Sequence, residues 1–286
     1  MVLNGDCGGQ ELGHQFLKRV AGHFANQTAV VTPNGKMLSH DLDDGLKRWK
    51  ALPQAERTQL EEIGAYDAAK HPEPPPGGLV VKVFYRAFVR EAGGKLEYYK
   101  KGSTRNLEPG RDHLWLTEAE WRSLIPPPTT KAERRAMPDL IAERICRRYL
   151  IDLVRVGGFG GPRRPQDVLA RELWLTTEKK EGTSVRLRVD GTARVSSADA
   201  SLGGRGGKDP KIDDYRFEGH LEYDTVKKTM TRFDLVAFSE TGHYDEVNKK
   251  VTPFGIAFEL SRAETPSERV APTAYGKDYF GAEKKR

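Results

Sequence analysis

The sequence predicts an α+β protein in two parts, a small N-terminal α/β unit followed by helices packed on a curved antiparallel β-meander. Three observations carry this reading. Apolar residues recur at helical spacing near the N-terminus and again from 138 to 153. From Arg171 the pattern changes to period two, in five runs rich in β-branched and aromatic residues. Between the two parts, "HPEPPPGG" (71–78) cannot continue a helix and reads as a linker. The units are then 1–72 and 79–264, with a polar tail at 265–286 expected to fray.

In the first unit, "MVL" reads as the tail of a strand. Leu12, Phe16, Val20 and Phe24 recur every four residues and mark one face of a helix over 10–25. "TAVVTPNGKML" reads as strand, turn, strand, with Pro33-Asn34-Gly35 supplying the turn. A second helix is expected from about Asp43, with Leu46 and Trp49 inward, and Pro53 opens a further turn or break.

In the second unit, "LVVKVFYRAFVRE" (79–91) is a strand and "KLEYYKK" its partner across Gly93-Gly94. "LTEAEWRSLIPPP" is a short helix with a capping box between Thr117 and Glu120. Pro138 starts a stronger helix with Ile141, Ile145, Tyr149 and Leu153 on one face. "VGGFGGPRRP" is a connection. The meander strands follow: "ELWLTTE", "SVRLRVDGTARV", "YRFEGHLEYD", "TMTRFDLVAFSE" and "FGIAFEL". Gly191 and Gly219, inside strands, predict bends or bulges that curl the sheet. The longest connections are expected at about 196–213 and 241–252.

Composition narrows the function classes. The chain has 286 residues, 37% hydrophobic and 31% charged, within the range of folded globular proteins. No run approaches the roughly 18 apolar residues of a membrane helix. "MVLNGDC" has neither the basic nor the apolar region of a leader, so a cytoplasmic location is expected for the chain as it stands. A longer natural N-terminus would make it exported or periplasmic. Cys7 and Cys146 are too few for a disulfide framework or a paired-cysteine zinc site, and Cys146 reads as a buried structural thiol. The charge is uneven: 76–165 carries 18 basic against 10 acidic residues. Nucleic acid or a membrane surface is therefore a class to weigh. Against it, the arginines come in scattered pairs (134–135, 147–148, 163–164), as on a solvated helix face.

Several chemical signatures fail. "LGGRGGKDP" has Leu202 where a phosphate loop needs glycine and Asp209 where it needs Ser or Thr. Ser239, Glu240 and His243 are near only along the chain, which makes no triad. Asp213-Asp214 read as turn residues of a polar loop. His220, Glu222 and Asp224 alternate on one strand and match a solvated polar face, so no metal or cofactor is assigned.

"NGDCGGQELGHQF" places Cys7 just before the first helix, where a helix N-terminus can lower a thiol's pKa. Strand, cysteine turn, helix and the hairpin "AVVTPNGKML" together resemble the thioredoxin-like superfamily over about residues 1–60. Gln10 stands where the second cysteine of that family falls, so the resemblance implies at most a monothiol reductant or a peroxide-reacting thiol. "RDHLWLTEAEWRSLIP", "LEYDTVKKTMTRFDLVAF" and "TPFGIAFEL" resemble a planctomycete-type bacterial family across most of the chain. That likeness implies the two-part layout and an exported parent, and no activity.

The function expected is therefore non-catalytic. A curled sheet with one apolar face can bury an apolar ligand or present an edge to a protein partner. Trp174, Phe217, Tyr223, Phe233 and Phe238 are the candidate lining residues, and they are also residues an ordinary core would use. A redox role for Cys7 and a basic nucleic-acid or membrane-surface site are the alternatives.

Overall fold

The computed structural model describes residues 2–4, 28–32, 36–39, 41–58, 72–98, 110–127, 134–154, 162–196, 212–245, 250–264, 268–273 and 278–280. Antiparallel β-sheet dominates, with few helices. Cys7 and the helix expected over 10–25 lie outside the described residues.

The N-terminal unit is a three-stranded antiparallel sheet in the order β1 (Val2–Asn4), β2 (Thr28–Val31), β3 (Met37–Ser39). Helix α1 (Leu42–Ala51) follows, with Asp41 as its cap accepting the Asp44 amide at 2.8 Å, and α2 (Gln54–Thr58) starts after Pro53. The phase of α1 differs from expectation. Leu46 is exposed and the buried residue is Gly45, because a Cβ there would sit 2.4 Å from the Val30 side chain. The helix meets β2 through bare backbone, which a search for apolar side chains cannot see.

The second unit is a nine-stranded sheet: β4 (Leu79–Arg90), β5 (Leu96–Tyr98), β6 (Gly110–Leu116), β7 (Arg134–Ala136), β8 (Val168–Glu181), β9 (Ser184–Ser196), β10 (Ile212–Asp224), β11 (Thr229–Asp245) and β12 (Lys250–Leu260). Strands β8 to β12 form the expected meander. Strand β12 then pairs with β4, which carries β5 and β6 on its far side, while β7 borders β8. Gly191 and Gly219 are bends rather than bulges. A Cβ would lie 2.0 Å from the Glu172 carbonyl oxygen at the first and 2.2 Å from that of Asp234 at the second, yet the register runs on through both. The bulges fall elsewhere, at Glu222/Tyr223 for example.

Helices α3 (Glu118–Ser123) and α4 (Asp139–Arg148) fill the curl. The capping box is present, with Thr117 accepting the Glu120 amide and Glu120 accepting that of Thr117. Ile141, Ile145 and Tyr149 point into the core beside Cys146, whose thiol burial pushes up to about 12. Arg135, in β7 at one end of the sheet, donates to the carbonyls of Ser123 and Leu124 in the segment after β6 at the other end. The sheet is thus drawn nearly closed around its helices.

The two ends of the curl differ. Tight turns at 182–183 and 225–228 lie at one, and the β9–β10 and β11–β12 connections start and finish at the other. The second of these spans only 246–249, because β11 and β12 run longer than the sequence pattern indicates.

The tail is anchored where it is described. Val270, Ala271 and Tyr279 are buried, Ala271 and Tyr279 against Val80 and Trp115. The Tyr279 hydroxyl bonds that of Tyr149 at 2.6 Å and accepts the Trp115 amide at 3.0 Å, while its ring lies between the Arg144 and Arg148 guanidiniums. A polar sequence hid one aromatic anchor.

Candidate functional site

Strand alternation sorts the five candidate aromatic residues onto two faces. Phe217, Tyr223 and Phe233 point inward with relative exposures of 4%, 9% and 1% and belong to the main core. Trp174 and Phe238 point outward and are half-buried. The five are therefore not one lining set: Phe217, Tyr223 and Phe233 are core residues, the other use the sequence allowed for them, because helices α3 and α4 occupy the concave side. The parity of each strand carried this signal. Leu173 and Leu175 bracket Trp174, and Ala237 precedes Phe238, so both aromatics stand on the solvent-facing parity of their strands, which Phe238 shares with Val236.

On the outer face, Trp174 and Phe238 border a groove of about 720 Å³ across β7 to β11, which Val236 and Arg216 also line. A second hollow of about 570 Å³ adjoins it and shares Thr192, Arg216 and Phe238. Val236 is 47% exposed in the middle of a sheet strand. Phe88 lies over Gly255, where a Cβ would come within 2.9 Å of its ring, and its centroid is 6.5 Å from that of Phe238. The glycine leaves room for one aromatic floor to run from β11 to β4. At the other end, the Arg134 guanidinium lies 4.8 Å from the Trp174 ring centroid and donates to Asp190 at 2.8 Å.

The charged rim was not foreseen. Arg194 grips Asp214 through two hydrogen bonds of 2.7 and 3.1 Å, and Arg90 grips Glu240 through two of 2.7 Å. Arg216 lies between them with Thr192 and Phe238 as its cross-strand neighbours, and neither offers it a charge. Cross-strand register decides these pairings, and a one-strand pattern does not reveal it.

The other candidates have structural explanations. Asp213 and Asp214 are strand rather than turn residues, on opposite faces: Asp213 is buried and accepts from the Thr241 hydroxyl at 3.3 Å. Glu222 faces Arg186 and Arg232, and Asp224 accepts the Val226 and Lys227 amides of the turn. His220 is 3.4 Å from Glu178. Among the described residues, no group of three His, Cys, Asp or Glu is placed to hold a metal ion.

Four of the six paired arginines of the basic middle are drawn at least partly into the fold, while Arg134 and Arg164 stay more than half exposed beside their acid partners. Arg135 and Arg163 donate to backbone carbonyls, Arg147 pairs with Glu143, Arg148 with Asp278 and Arg164 with Asp167. Among the described residues, no helix is long and apolar enough to cross a membrane.

Sheet edges are protected as well. Strands β5 and β7 have three residues each, and β8 ends in Glu178-Lys179-Lys180-Glu181. Along β6, Tyr149 donates to the His113 carbonyl, Arg144 to that of Trp115, and Tyr279 accepts the Trp115 amide. Side chains take the place of a further strand there.

Compared with protein-family models, curated proteins and solved structures, the chain matches none.

Proposed function

We propose that this chain is a non-catalytic binding protein whose ligand lies on the outer face of the curled sheet, between Trp174 and Phe238. The observation that carries this is the pair of outward aromatics beside a half-exposed Val236, bordering a groove of about 720 Å³. Ligand sites of this size combine apolar walls with a few placed polar groups. An apolar ligand inside the curl is the weaker version, since α3, α4 and the inward aromatics occupy that space. Strand addition by a protein partner is weaker too, given the short, charged or capped edges. A nucleic-acid or membrane-surface role is weaker as well, since each of the paired arginines of the middle already holds an acid or a carbonyl and only Arg134 and Arg164 are exposed.

Nile red, an uncharged apolar dye, tests the site. The wild-type chain is expected to shift its emission to the blue, and Trp174→Ala and Phe238→Ala to abolish most of that shift. Emission unchanged in both variants would place the dye elsewhere and remove the reading.

The thioredoxin-like reading of residues 1–72 stands as a second proposal. It is supported by the antiparallel β1–β2 pairing, the β2–β3 hairpin and the helix that follows. The pH dependence of Cys7 alkylation tests it. A poised thiol reacts well below the usual cysteine pKa of about 8.5, whereas ordinary titration leaves Cys7 a helix-start residue. The two-part layout is also what the planctomycete-type family resemblance implies.

A further inference from the structure

We infer that the outer-face groove takes an uncharged amphiphile: an apolar body carrying a hydroxyl-rich head of the sugar type, with the head over β8 to β10 and the body along Val236 and Phe238. This rests on the groove being the binding site. Most charged groups of the outer face are spent on one another: Asp190 holds both Arg134 and Arg188, Arg232 holds Asp234, and Arg194 holds Asp214. Four polar side chains lining the groove are not. Glu172, Thr192, Arg216 and Glu218 have no hydrogen bond or ion pair among the described residues. They are neighbours. Glu172, Thr192 and Arg216 stand in one row across β8, β9 and β10, and Glu218 is two residues from Arg216 on the same strand face. At that two-residue spacing Arg188 closes on Asp190 and Arg232 on Asp234. Arg216 and Glu218 stay apart, so a donor and an acceptor lie open side by side, with Phe238 and Val236 opposite them on β11.

The mixture of signs sets the ligand class. An anion drawn to Arg216 meets two carboxylates, and a cation drawn to Glu218 meets Arg216 beside it. Each is opposed by the group next to its own partner. A hydroxyl donates and accepts at one atom, so a head with several of them satisfies carboxylates and guanidinium together through charge-assisted hydrogen bonds. Thr192, between Glu172 and Arg216, adds a hydroxyl of its own to that set. The apolar body then has the exposed Val236 and the Phe238 ring to lie on, and Trp174 borders the far side of the head.

Isothermal titration of the full chain with four eight-carbon probes reads the head group: octyl β-glucoside, octanol, octanoate and octylamine, each below its micelle or solubility limit. Octyl glucoside is expected to bind most tightly, by about tenfold over the other three. Arg216→Ala and Glu218→Ala should each remove most of that advantage, leave octanol binding unchanged and melt with the wild type. Loss at both positions is what a hydroxyl head requires, whereas a charged head loses at one and gains at the other. The inference falls if the two variants act in opposite directions, if either leaves glucoside binding unchanged, or if another probe binds as well as the glucoside. It falls too if octyl glucoside gives no binding up to about 3 mM. The groove itself survives those results if Phe238→Ala still weakens octanol binding. If Phe238→Ala and Trp174→Ala leave every probe unaffected, the failure belongs to the groove reading instead.

Discussion

The outer face of the large sheet is treated differently at its two ends. Over β4 and β6 the chain covers itself, with residues 268–273 and 278–280 lying across Val80 and Trp115 and Tyr279 inserted between two arginines. Over β7 to β11 no described segment lies across Trp174, Val236 and Phe238, and Trp174 has the Arg134 guanidinium against its ring. The covered half also contains the buried ion pair of Arg144 with Glu120, and the open half has surface ion pairs such as Arg194 with Asp214. The same sheet therefore has a half whose side chains stabilise the fold and a half whose apolar groups stabilise it little. Removing side chains from the covered half should cost folding, and removing them from the open half should cost binding.

The largest effect is expected at Tyr279. Tyr279→Ala empties a fully buried site and removes the hydroxyl that accepts the Trp115 amide and bonds Tyr149, which keeps its bond to the His113 carbonyl, a loss of about 3–5 kcal/mol in urea unfolding. Tyr279→Phe removes only the hydroxyl and should cost about 1–2 kcal/mol. A Tyr279→Ala protein as stable as the wild type would mean that the tail does not cover this face in solution.

Next is the Glu120–Arg144 pair. Burial alone would raise the Glu120 carboxyl, but the Arg144 guanidinium and the Thr117 amide outweigh it and hold the pKa below the usual 4.5. A carboxyl depressed in the folded state stabilises fully above its unfolded value and loses that contribution as the pH falls through the folded one. Wild-type stability should therefore drop below about pH 4.5 more steeply than that of Glu120→Gln. The variant should already be weaker at neutral pH by about 3 kcal/mol, the cost of stranding a buried guanidinium. Parallel acid profiles for the two proteins would show that the pair does not govern this face.

A smaller and more discriminating contrast lies within one strand. Phe233 faces the core of β11 and Phe238 faces the groove. Phe233→Ala should cost about 3–5 kcal/mol and Phe238→Ala only about 1. Dye binding should follow the reverse order once both proteins are folded. Equal losses of stability at the two positions would make the groove an extension of the core.

These contrasts also show what the sequence made legible. The meander, the α3 capping box and the inward face of α4 were all readable, because each depends on residues close together in the chain. The two faces of the sheet were readable in principle: Trp174 and Phe238 stand on the solvent-facing parity of their strands, and weighing all five aromatics as one set obscured it. The partner of each arginine was not readable. Arg194 finds Asp214, while Arg216 faces Thr192 and Phe238 and pairs with no acid among the described residues, and the register of three strands makes that difference. The anchoring of Tyr279 was hidden for the same reason, since its partners lie 130 and 164 residues away.

The smallest effect expected is no reaction at all, at Cys146. Its thiol is fully buried on α4, and burial raises it to about 12 despite the positive charges of Arg171 and Arg163. The thiolate is the nucleophile, so iodoacetamide at pH 8 should leave Cys146 unmodified for as long as the protein stays folded. Opening the fold should release it: Tyr279→Ala, by destabilising the covered half, should raise the labelling rate in proportion to the unfolded population. Phe238→Ala, on the open half, should change that rate far less. Comparable acceleration by the two substitutions would mean that both halves of the outer face support the core around α4 equally, and the division between a folding half and a binding half would fail.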